Sequence, residues 1–204
     1  MELFKGNNME KLYDIKNEML VHIPMCTHAN PKNILMVGTS GRIKEEVEKH
    51  SNVENIHIIE KDVTNQMAQL SEGFFDVAIV SDENFKTDRV FWGLLNRALH
   101  LKGVVSAVAS TMLVQEEAFA QELKTMGELF KIVMPYRYEE AGENGHMLSK
   151  NLLLASKAYH PTADINLQRA DLTDGLHYYN SDIAIGAFQV PSMSKKRFAG
   201  LIKF

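Results

Sequence analysis

The sequence predicts an α/β fold: a mostly parallel sheet with helices on both faces and an antiparallel hairpin at one edge. Three observations predict it. Short apolar runs alternate with amphipathic stretches over the first two-thirds of the chain, a pattern that needs crossover connections between parallel strands. The first run, ILMV, ends in a glycine turn, GTSG, which leads into a charged helical stretch. Two late apolar runs, KIVMPY and NLLLASK, flank the loop EEAGENGH and read as a hairpin.

Residues 10–23 place Leu12, Ile15, Met19 and Ile23 on one helical face. Pro24 and Pro31 then bracket a loop containing MCTHAN. The strand Asn33–Val37 follows, with the glycine turn and the helical stretch RIKEEVEKH after it. A second strand, Ile56–Glu60, leads into a short helix in DVTNQMAQL, and a third, Phe75–Val80, follows Gly73. Residues 85–99 form a strongly amphipathic helix that aligns Val90, Phe91, Leu94, Leu95 and Ala98. Gly103 opens VVSAVAS, a buried strand. A helix over 112–126 carries Met112, Phe119, Leu123 and Met126. Beyond Lys157 the periodicity is weakest. This succession is that of the Rossmann-like, methyltransferase-type fold, in a single domain over 1–204.

Composition narrows the function classes. With 204 residues, 45% apolar and 24% charged, the chain is an ordinary globular domain. Its net charge of -4 offers no basic surplus for nucleic acid or for an anionic membrane. Cys26 is the only cysteine, so an intramolecular disulfide and a zinc-thiolate cluster are both excluded. That points to a reducing, cytoplasmic setting. No apolar stretch approaches a membrane span, and MELFKGNNMEK lacks a secretory core.

Several residues are candidates for chemistry. Gly38 and Gly41, with Thr39 and Ser40 between them, could let a tight turn bring backbone N–H groups to a ligand; two glycines in a βα turn also serve purely structural ends. Glu60, at the end of the second strand, could accept hydrogen bonds from ribose hydroxyls. Ser81, Asp82, Glu83 and Asn84 follow the third strand, where parallel sheets bind ligands. A carboxylate there could hold an amine or take its proton. Alternatively, Asp82–Asn84 cap the next helix. Tyr178 and Tyr179, before Asn180, could wall an amine pocket, or simply pack. His22 and His28 lack acidic or cysteine partners at a ligand spacing, so surface or helix-end positions are their default and no metal site is expected. Cys26 reads as a small buried residue without triad context.

Taken in order, these pieces resemble the spermidine synthase (polyamine aminopropyltransferase) family. EMLVHIPMCTHANPKNILMVG resembles that family's helix, histidine–proline corner and first Rossmann strand. IHIIEKD is similar to its second strand with the ribose-binding acid, and FFDVAIVSDEN to the strand that enters the catalytic loop. NLLLASKAYHPTAD and LHYYNSDIAIGAFQVP match the late strand and the Tyr-Tyr-Asn helix start. The matches span residues 16–192, and the chain most resembles divergent bacterial members.

The resemblance implies transfer of an aminopropyl group from decarboxylated S-adenosylmethionine to putrescine, with no tightly bound cofactor and no metal. It implies Gly38, Thr39, Ser40, Gly41 and Glu60 on the nucleoside, Asp82 or Ser81 at the catalytic position, and Asn84, Tyr178 and Tyr179 on the amine side. It also implies small-molecule polyamine and nucleoside ligands and a homodimer. The chain departs from the family pattern at several places. Gly41 stands where the glycine turn carries an aspartate, and Lys16 and Asn17 replace a tyrosine–histidine pair. Ser81 aligns with the catalytic aspartate, so a one-residue shift is needed to recruit Asp82. Asn84 replaces a second aspartate and Ala184 a histidine. Fifteen residues between Glu60 and Asp76 leave no room for the usual extra helix and strand. The N-terminal β-hairpin domain is reduced to MELFKGNN, as in a truncated member. Two further readings stand beside the enzyme: a non-catalytic relative serving as an interaction or remnant protein, and a small S-adenosylmethionine-dependent methyltransferase.

Overall fold

The computed structural model describes residues 15–38, 41–141 and 146–204. Its elements, in chain order, are α1 (Ile15–Thr27), β1 (Asn33–Val37), α2 (Gly41–Glu48), β2 (Asn55–Ile59), α3 (Val63–Gln69) and β3 (Phe75–Val80). After a 3-10 turn at Glu83–Phe85 come α4 (Arg89–Ala98), β4 (Leu99–Val108), α5 (Glu116–Gly127), β5 (Ile132–Ala141) and β6 (Met147–Ser156). Three short helices follow: α6 (Leu167–Leu172), α7 (Ser181–Gly186) and α8 (Ser192–Arg197). Leu12, the segment MELFKGNN, and Thr39 and Ser40 lie outside the described residues.

The six strands form one sheet in the order β2-β1-β3-β4-β6-β5. β2, β1, β3 and β4 are parallel, and β6 runs antiparallel to both β4 and β5. This is the mostly parallel Rossmann-like sheet with its antiparallel edge hairpin. Apart from half-buried Asn33 and Asp76, strands β1 and β3 are apolar and buried, as central parallel strands covered on both faces must be. Between Ile59 and Phe75 the chain makes only α3, so β2 remains an edge strand with Asn55, His57 and Ile58 exposed. The opposite edge is closed by the C-terminal segment. Arg137 N–H donates to the Ala187 carbonyl, and Val133 exchanges both backbone bonds with Lys203.

Several boundaries differ from the sequence expectation. Pro24 lies inside α1, which continues to Thr27 instead of breaking into a loop. Nearly every residue of α1 is buried, and Arg169 donates to the carbonyls of Met25, His28 and Ala29, so tertiary contacts satisfy the end of the helix. Helix α4 starts at Arg89, not 85, because the Asp88 carboxylate accepts from the N–H groups of Val90 and Phe91. Strand β4 begins at Leu99, four residues before Gly103. α5 begins at Glu116, leaving Met112 in the loop before it.

Candidate functional site

The carboxyl ends of β1 and β3 meet at Gly38. The Ser81 N–H donates to the Val37 carbonyl at 2.9 Å and Gly38 N–H to the Ile59 carbonyl at 3.0 Å, so the first residues past β1 and β3 are tied to their neighbours. Gly38 has φ +107°, and a Cβ there would lie 2.4 Å from Ser81 Oγ and 2.9 Å from the Asp82 nitrogen. Only glycine lets the turn approach the loop this closely. The turn and the loop, 43 residues apart, are thus one junction. Gly41 stands at the start of α2.

Asp82 Oδ1 accepts from the Asn84 backbone N–H at 2.9 Å and from Asn84 Nδ2 at 2.8 Å. The carboxylate caps the 3-10 turn, which is the local role open to it from sequence, while α4 takes its cap from Asp88. Both bonds fall on Oδ1, which leaves Oδ2 available to a ligand. Glu83, next in the loop, is ion-paired to Lys86 at 3.1 Å, and that bond holds its carboxyl below the usual range. Glu60 is exposed just past β2, on the wall of an open hollow of about 490 Å³ that also includes Ile58, Lys61 and Gln66.

The two tyrosines go elsewhere. Tyr178 donates its hydroxyl to Glu139 on β5. Tyr179 is 3% exposed; its ring lies 5.4 Å from that of His22, with Cys26 beside it, and its hydroxyl has no hydrogen-bond partner among the described residues. Burial pushes the Cys26 thiol up to about 11, in keeping with an inert core cysteine.

Two features escaped the sequence reading. Glu18, 1% exposed on α1, accepts from the backbone N–H groups of His177, Tyr178 and Tyr179 at 2.8, 2.9 and 2.9 Å. One buried carboxylate therefore holds the Tyr-Tyr segment against α1. The available signal was its place beside Met19 on the helix's apolar stripe. His22 and His28 are core residues, not surface ones, at 0% and 6% exposure. His22 Nε2 lies 2.8 Å from Glu46 Oε2, and its Nδ1 lies 2.8 Å from His50 Nε2. A carboxylate can only accept, so His22 carries its proton on Nε2 and accepts at Nδ1 from His50. Burial lowers the pKa of both rings, that of His50 to about 3. Burial alone would raise Glu46, but hydrogen bonds from His22 and Lys49 outweigh it and hold the carboxyl low.

A further hollow, of about 420 Å³, is lined by Lys49, His50 and Arg169. It lies at the amino ends of the strands, where Asn52 donates to the Pro31 carbonyl. Its cations are engaged, Lys49 by Glu46 and the Gly175 carbonyl, Arg169 by three carbonyls. The Gly38–Asp82 junction, at the carboxyl ends, is where this architecture binds ligands. Among the described residues no group of three or more His, Cys, Asp or Glu could hold a metal, and no helix is long and apolar enough to cross a membrane.

Comparison with known proteins agrees with this geometry. The family model described as Spermine/spermidine synthase domain matches residues 13–77. The chain is 26% identical to Spermidine synthase 2 of Arabidopsis thaliana over 88% of its own length, and it spans 65% of that relative. It is 26% identical to the polyamine aminopropyltransferase of Helicobacter acinonychis (strain Sheeba), over 94% of this chain and 84% of that one. A crystal structure of spermidine synthase in complex with the transition-state analogue AdoDATO superposes with a TM-score of 0.81 at 22% identity, covering 90% of this chain and 75% of that one. By these matches, and by the order in which its strands and motifs occur, the chain is similar to the spermidine synthase (polyamine aminopropyltransferase) family over most of its length.

Proposed function

We propose that the chain transfers an aminopropyl group from decarboxylated S-adenosylmethionine to putrescine, releasing spermidine and methylthioadenosine. The observation that carries this reading is the Gly38 junction, where a position open only to glycine abuts the loop bearing Asp82. Gly38 and Gly41 lie toward the nucleoside and Glu60 accepts from its ribose; Thr39 and Ser40, expected on the nucleoside as well, lie outside the described residues. In the reaction the amine nitrogen attacks the methylene next to the sulfonium. A C–N bond forms, the C–S bond breaks, and its electron pair neutralises the sulfur. Asp82 Oδ2 takes the proton released by the amine, Ser81 supports the loop, and Asn84 lies on the amine side; Tyr178 and Tyr179, expected there too, sit against β5 and in the core instead. The sulfonium is a good leaving group, so positioning is the protein's main contribution. The setting is cytoplasmic, in a single domain that pairs as a homodimer.

A non-catalytic relative is the second reading, and one observation favours it. Between Ile59 and Phe75 there is one helix and no strand, so nothing there walls the nucleoside side of exposed Glu60. Calorimetry with methylthioadenosine and with putrescine, followed by an assay for spermidine, separates the two. Binding of neither ligand to a folded sample overturns the enzyme. Product formation lost in Asp82→Ala and retained in Ser81→Ala supports Asp82 as the base. Methyl transfer is not proposed, since the related proteins carry aminopropyltransferase and spermidine synthase names.

A further inference from the structure

At the far side of the sheet, three strand steps or ~14 Å from β3, a separate hollow of about 170 Å³ opens between β5 and α7. Ligand sites for drug-sized molecules run to roughly 300–1,000 Å³, so this one selects something small. Its walls are built, not incidental. Glu18 fixes the backbone of Tyr178, and the Tyr178 hydroxyl, kept protonated by burial and by Glu139, donates to Glu139 on β5. Asn180 caps α7 and so places Asp182 on the opposite wall.

Arg137 and Asp182 line the same hollow, yet they form no ion pair with each other. Among the described residues neither the Arg137 guanidinium nor the Asp182 carboxylate makes an ion pair or a side-chain hydrogen bond. With Glu139, whose Oε2 already accepts from Tyr178, the hollow is lined by two carboxylates and one guanidinium. Its complement is a small molecule with two ammonium groups and one carboxylate.

We propose that this hollow binds a free diamino acid. The ligand's carboxylate meets Arg137, its two ammonium groups meet Asp182 and Glu139, and its methylene chain lies on Ile183 and Ala187. The site takes its charges from residues that the transfer reaction does not use.

The test is calorimetry on the full chain with L-lysine, with cadaverine (the same chain without the carboxylate) and with norleucine (without the second ammonium). Lysine binds saturably, and each truncated probe binds about tenfold more weakly, the worth of one charge-assisted hydrogen bond. Arg137→Gln lowers lysine to the cadaverine level and leaves cadaverine unchanged; Asp182→Asn weakens both. Both positions are exposed, so the variants fold. Absence of lysine binding, equal affinity for lysine and cadaverine, or lysine affinity indifferent to either substitution overturns the proposal. Methylthioadenosine binding and spermidine formation, measured on the same variants, stay at the parent values, so failure of the transfer site and failure of this one are read separately.

Discussion

Lowering the pH from about 7 to about 5 sets the solvent against the pair His22–His50, because a free imidazole takes up its proton near 6.5. In the folded chain His50 is 4% exposed, and its pKa is lowered to about 3 by burial first and then by His22, Arg169 and Lys49. The unfolded chain therefore binds a proton that the folded chain refuses, throughout the window between those two values. Stability is present in full above the unfolded value and is lost as pH falls through it. Each pH unit below ~6.5 removes about 1.4 kcal/mol for this one group, so between pH 7 and pH 5 the loss is about 2 kcal/mol. His22 and His28 are also lowered by burial and act in the same direction. The assay is urea unfolding at three pH values, on the parent and on His50→Gln, whose amide N–H can still donate to His22 Nδ1. The variant should lose about 2 kcal/mol less than the parent across that window. Parallel stability curves for the two proteins would refute the reasoning, because they would mean that His50 binds its proton equally in both states.

Two further outcomes follow from the same structure. Gly38→Ala puts a Cβ 2.4 Å from Ser81 Oγ at φ +107°; it should cost roughly 2–4 kcal/mol and abolish methylthioadenosine binding, and an unchanged urea midpoint would contradict the contact. Glu18→Gln turns an amide donor toward N–H groups that need acceptors. It should cost about 2–4 kcal/mol and speed hydrogen exchange at the His177–Tyr179 amides, whereas unchanged exchange there would dismiss the clamp.

Much of the architecture was legible because each strand announced itself locally. The apolar runs of β1 and β3 and the turn residues around them fixed those strands to the residue. Boundaries failed where a single side chain or a distant partner decided them. Asp88, not Asp82–Asn84, caps α4, and burial with Arg169 at its end carries α1 through Pro24. In the site, Gly38, Asp82 and Glu60 could be named from their positions after strands. What pairs with them could not, since the Gly38–Ser81 contact joins residues far apart in sequence. Glu18 and His22 were hidden for the same reason. A polar residue on an apolar helix stripe declares that it needs a partner, but Glu46, His50 and the amides of 177–179 come from other elements.

The Glu18 clamp also has a kinetic meaning. It joins residues 159 to 161 positions apart, and closing so long a loop costs about 4–5 kcal/mol of chain entropy. Where a contact of that separation closes only after the sheet has assembled, it lies beyond the folding barrier. An interaction made late leaves the folding rate alone and holds back unfolding. The carboxylate that organises the Tyr-Tyr segment is therefore a latch on the native state, setting how long the assembled molecule survives rather than how quickly it is reached.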